Sequence, residues 1–132
     1  MTNSQMDDLV ETLLSYGGEE VSVPDQEPDL EEILERGYYR SGRGSKRVKR
    51  MPVRCHENAA LFWRANQDIV AIVTGYALSA DGLWRQHSWI KDTRNDKIIE
   101  TTVKRVAYFG FDLTEAEAEA FFRTQIPMPW LE

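Results

Sequence analysis

The stretch CHENAALFWRAN (55–66), followed by IVAIVTGYALS (69–79), decides the fold class. In the first segment Ala59, Phe62, Trp63 and Asn66 recur on one face at helical spacing, and nothing breaks the run, so a helix opens at Cys55. In the second, β-branched and aromatic residues predict a strand, and Ala80-Asp81-Gly82 supplies the turn into another, Leu83 to Ile90. The polar KDTRNDK (91–97) leads on to a third strand, Ile98 to Val103, with turn residues from Asp92 to Asp96. A helix followed by a three-stranded antiparallel meander predicts an α+β domain, with the helix packed on a small antiparallel sheet.

On the C-terminal side, Thr114 and Glu117 form a capping box in front of a helix through Phe121 and Phe122 that closes before Pro127. On the N-terminal side, Met6, Leu9, Val10, Leu13 and Leu14 predict an amphipathic helix that Asn3 or Ser4 caps and Gly17-Gly18 stops. Leu30, Ile33 and Leu34 mark a second short helix ending at Gly37. Residues 1–36 hold eleven acids and one base, whereas Gly37 to Arg54 holds seven bases and no acid. Gly42, Gly44 and Ser45 make the basic stretch a loop. The expected organisation is one domain of 132 residues: an acidic helical segment (1–36), a basic loop (37–54), a core (55–113), and a C-terminal helix and tail (114–132).

With 22 acids against 16 bases, the field of the whole chain opposes nucleic acid and anionic membrane surfaces. No apolar run approaches the roughly 18 residues that a bilayer span needs, and no leader pattern opens the chain. A single cysteine cannot form an internal disulfide, which fits a reducing compartment and a cytoplasmic location.

A thiol is a nucleophile as its thiolate, and the first turn of a helix favours that anion through its free N–H groups. Cys55 is placed for this, with Arg54 adding positive potential and Glu57 opposing it. A thiol also needs a base held on rigid structure, and His87 lies in the second strand of the meander. Trp84 and Trp89 lie in the same strand, where they shield an ion pair from water or simply pack. An even turn between the second and third strands puts Glu100 on the face of His87, together with Ile98 and Thr102, as the acid that orients the imidazole. An odd turn brings Ile99 or Thr101 there instead and makes Asp92 or Asp96 the orienting group. His56, about 100° around the helix from Cys55, reads as a bystander. A zinc site built from Cys55, His56 or His87 and Glu100 is conceivable, but one cysteine, no C-x-x-C and no His pair at i, i+4 count against it, and no metal is expected.

The order of a cysteine opening a helix, Val73-Thr74-Gly75-Tyr76 in a strand, His87-Ser88-Trp89 in the next and Glu100 in the one after resembles the transglutaminase-like branch of the papain-like cysteine fold. The resemblance covers roughly Val53 to Thr102 and departs at Glu100, where that family more often has Asp. It implies a papain-like core and a cysteine-dependent acyl transfer on an amide, as in peptidases, amidases, deamidases and crosslinking enzymes. Carried over by position, it makes Cys55 the nucleophile, His87 the base and Glu100 the orienter. The implied substrate is a peptide, a protein or a small amide, with Tyr76, Trp84, Gln86 and Trp89 as substrate-side residues and no cofactor. Two other readings stay open: an inactive module of the same fold that binds a protein partner, and a nucleic-acid-associated protein using residues 40–50.

Overall fold

Two glycines at φ +128° and +83°, Gly17 and Gly18, end helix α1 (Thr2–Ser15) in a backbone conformation that side chains resist. The computed structural model of the chain describes residues 2–126 and is α+β. After α1 come β1 (Glu20–Val21), α2 (Leu30–Arg36), β2 (Tyr38–Ser41), β3 (Lys46–Arg47) and α3 (Cys55–Ala65). Then follow β4 (Val70–Leu78), β5 (Leu83–Asp92), β6 (Lys97–Glu100), β7 (Ala107–Asp112) and α4 (Glu115–Gln125). The strands form a seven-stranded mixed sheet in the order β2-β7-β4-β5-β6-β3, with β1 paired in parallel to β5. Among the described residues no helix is long and apolar enough to cross a membrane.

The helix and strands expected from 55 to 100 form within a few residues of the predicted bounds, but the meander is only part of the sheet. The stretch read as a basic loop contains β2, antiparallel to β7, and β3, parallel to β6. Tyr38 and Tyr39 suit a strand, and their pairing to Gly110 and Phe109 comes from a segment some seventy residues on. Helix α1 begins at Thr2, so Ser4 lies inside it rather than at its start, and the side chain of Asn3 lies outside what the structure describes. At the other end the capping box is present: the Thr114 side chain accepts from the Glu117 N–H, and Glu117 accepts from the Thr114 N–H. Pro127 lies outside the described residues.

Close contacts divide the described residues into two compact units, one of residues 2–43, 75–87 and 105–111, the other of residues 44–74, 88–104 and 112–126. In the first, Leu9 and Leu13 of α1 and Ile33 of α2 are buried, as are Tyr76, Trp84 and Tyr108 of the sheet. The Trp84 indole N–H donates to the Gly17 carbonyl at 2.9 Å, which satisfies the one polar atom of that buried ring. Tyr16 stacks on Tyr39 with centroids 4.6 Å apart. In the second, Ala59, Ala60 and Trp63 of α3 meet Val70, Ile72, Ile90 and Ile99 of the sheet and Ala118 and Phe122 of α4. Each large apolar side chain buried here contributes about 1.5–3 kcal/mol. Arg64 adds an ion pair to Glu119 at 2.9 Å and lies over the Phe122 ring.

The β5–β6 register pairs Ile90 with Ile99, Lys91 with Ile98 and Asp92 with Lys97. Four residues, 93–96, make the turn, so the loop is even and the register has the odd-sum parity expected of an even turn. Asp92 pins this turn by accepting from the Arg94 backbone N–H and guanidinium, and Arg94 holds the Asp92 carboxyl below its usual range.

In β4, a Cβ built on Gly75 would stand 2.2 Å from the Phe109 carbonyl oxygen and 2.6 Å from the Gly110 Cα. Backbone cannot yield as a side-chain tip can. Gly75→Ala is therefore expected to destabilise the protein by about 2–3 kcal/mol, read as a lower urea midpoint at unchanged slope.

Candidate functional site

Cys55 is the first residue of α3 and is partly exposed. The chain reaches it through a turn, Met51 to Arg54, in which Val53 is 95% exposed and adopts φ +53°. For a β-branched residue that is a strained conformation, costing on the order of 1–2 kcal/mol. It stands two residues before the thiol. Asn58, in the first turn of α3, donates to the Met51 carbonyl at 2.8 Å and holds the turn against the helix.

The first N–H groups of a helix have no intrahelical acceptor and are usually capped by a side chain. Here Arg54 occupies the capping position and supplies no such bond. Its guanidinium instead donates to Glu57 at 2.9 Å, so the acid expected to oppose a thiolate is offset by the base that precedes it.

His56 has a structural partner. Its Nδ1 forms a 2.7 Å hydrogen bond with the Ser88 hydroxyl, and Ser88 forms a second, at 2.9 Å, with the Thr74 hydroxyl. Ser88 is fully buried and Thr74 nearly so. The ring edge also meets Phe121 of α4. The 100° between adjacent helix positions does separate Cys55 from His56, and that divergence is what lets His56 turn onto the sheet. The start of α3 is thus tied through one imidazole to β5 and β4.

Cys55 and Glu100 belong to the second unit and His87 to the first. His87 is 1% exposed, and its ring stacks on Tyr108 with centroids 6.4 Å apart. Glu100 is fully buried at the end of β6. One of its oxygens, Oε2, accepts from the Thr102 backbone N–H at 3.0 Å and from the Thr102 hydroxyl at 2.8 Å. Ile90 and Ile99 enter the core with α3, so strand alternation turns Glu100 away from the side of Ile99.

The residues expected on the substrate side are mostly interior. Tyr76, Trp84 and Trp89 are buried, and the Trp84 donor is taken by Gly17. These large rings pack in the interior of central strands. Gln86 is half-buried and donates to Glu27 at 2.7 Å, as the Tyr76 hydroxyl does at 2.8 Å. Among the described residues no three His, Cys, Asp or Glu side chains converge as metal ligands.

Val53→Gly should relieve the left-handed strain, offset in part by glycine's extra freedom in the unfolded chain, for a net gain of about 0.5–1 kcal/mol in denaturant unfolding. Ser88→Ala should cost about 1–3 kcal/mol in the same measurement, since it leaves two buried or half-buried partners without their bond. Scans of the chain against family models, curated proteins and solved structures return no match.

Proposed function

We propose that the protein is a cysteine-dependent acyl-transfer enzyme acting on an amide bond, with Cys55 as nucleophile, His87 as base and Glu100 as the group that orients it. The observation that carries this reading is the burial of His87 and Glu100, at 1% and 0% exposure, in the consecutive strands β5 and β6. An ionisable side chain withdrawn from water costs several kcal/mol unless it is partnered, and solubility cannot account for either residue. Such groups cluster where a protein needs a tuned proton donor or acceptor. A papain-like core is part of the same proposal.

Cys55 fits the nucleophile's requirements in its own surroundings. It opens an eleven-residue helix, it is partly exposed, and the adjacent Glu57 carboxylate is neutralised by Arg54. Strain at Val53 is of the kind that gathers beside functional groups. In the reaction, the thiolate adds to the amide carbonyl, forming a C–S bond, and the carbonyl electrons shift to oxygen. As they return, the C–N bond breaks and the imidazolium of His87 gives its proton to the leaving amine. Water or a second amine then attacks the thioester, gives up its proton to His87, and releases the acyl group from sulfur. Glu100 holds the imidazole in the tautomer this requires, and the Thr102 bonds fix the carboxylate that does so.

The test is the pH dependence of Cys55 alkylation by iodoacetamide in the wild type, His87→Ala and Glu100→Gln, with near-UV circular dichroism to establish that each is folded. The expected result is an inflection well below the free-thiol value of about 8.5, moved upward by about one unit or more in His87→Ala. A thiol that titrates near its free value and responds to neither substitution sinks the proposal.

A further inference from the structure

A second feature lies in the first unit and is complete without Cys55. Between β1 and α2 the segment 22–29 carries Pro24 and Pro28, which have no N–H to donate, and it forms no regular strand or helix. Beside it opens a cavity of about 430 Å3, within the size range of ligand sites. Its wall has two chemistries. Met6, Val23, Pro24 and Leu30 are apolar, and Asp25 and Glu27 are carboxylates.

Glu27 is held in place from three sides. Its Oε1 accepts from the Tyr76 hydroxyl at 2.8 Å and from the Gln86 amide at 2.7 Å, and its Oε2 accepts from the Asp29 backbone N–H at 3.1 Å. All three donors are neutral, so they fix the carboxylate without cancelling its charge. Burial, and next the hydrogen bond and the negative charge of Glu27, push the Tyr76 phenol far above its ordinary pKa, which keeps it a donor throughout the working range. Asp25 adds a second negative charge, and neither acid has a cationic partner among the described residues. The surrounding segment, residues 1–36, contains eleven acids and a single base, Arg36, whose guanidinium lies over the Phe111 ring.

We infer that this cavity binds the basic side chain of a peptide, a lysine or an arginine, with its aliphatic stem against Met6, Val23, Pro24 and Leu30 and its cationic head on Asp25 and Glu27. Long-stemmed cations are the chemistry that covers apolar surface with methylenes while keeping charge at the tip. An anion is repelled by both carboxylates. A short cation leaves the apolar wall bare, and a bare metal ion finds one of the Glu27 oxygens already engaged by two donors.

The experiment is a 1H–15N titration of the full chain with N-acetyl-lysinamide and N-acetyl-argininamide, with N-acetyl-norleucinamide as the uncharged analogue of similar stem and methylamine as the head without a stem. Saturable shifts centred on residues 23–30 are expected for the lysine and arginine probes, and about tenfold weaker binding for the other two. Asp25→Asn, an exposed substitution that leaves the Tyr76 and Gln86 bonds alone, should weaken the lysine probe by a similar factor, and Glu27→Gln by at least as much. Equal binding of the norleucine probe, binding undiminished in Asp25→Asn, shifts lying elsewhere, or no saturable shift in the millimolar range would each overturn the inference. None of these readouts uses the Cys55 thiol, so the outcome is separate from that of the alkylation experiment.

Discussion

The turn at Ser79–Gly82 is the constraint from which the first unit is hung. Gly82 donates to the Ser79 carbonyl at 3.0 Å, Ser79 donates to the Leu83 carbonyl at 3.1 Å, and Gly82 takes the left-handed φ of +85° that the turn requires. The Gly82 carbonyl then accepts from the N–H groups of Glu19 and Glu20, which starts the parallel pairing of β1 along β5. The Ser79 hydroxyl accepts from Arg85 and Arg105. One tight turn thereby fixes where the chain leaving α1 must run, and with it the position of the segment that carries Glu27.

What could be read from sequence was what the chain encodes locally. Helix α3, the β4–β5 hairpin, the Thr114 capping box and the even turn before β6 rest on residues within a dozen positions of one another. Strands β2, β3 and β7 are short and pair with distant segments, Tyr38 with Gly110 and Lys46 with Ile99, and a four- or two-residue strand has no periodicity to detect. Gly110 in Ala107–Asp112 further masks that strand, because glycine weakens the pattern of a run.

The site follows the same division. Cys55 at a helix start, and the register parity that favours Glu100, are local properties and could be derived. That Thr102 clamps Glu100 is also local, two residues away, but its recognition depends on knowing that both are buried. The His56–Ser88–Thr74 chain joins three elements, and Glu27 meets strand residues 49 and 59 positions downstream, at separations where sequence spacing carries no geometric information.

At the β6 side of the strand order stands β3, two exposed residues long, and both are basic, Lys46 and Arg47. The outer edge of a sheet presents unpaired backbone groups to any other strand that arrives. An incoming chain would have to lie beside two cations, and it would find hardly any length of ladder to extend. The basic stretch thus ends the sheet in an edge that is too short and too charged to offer a neighbouring strand a good template.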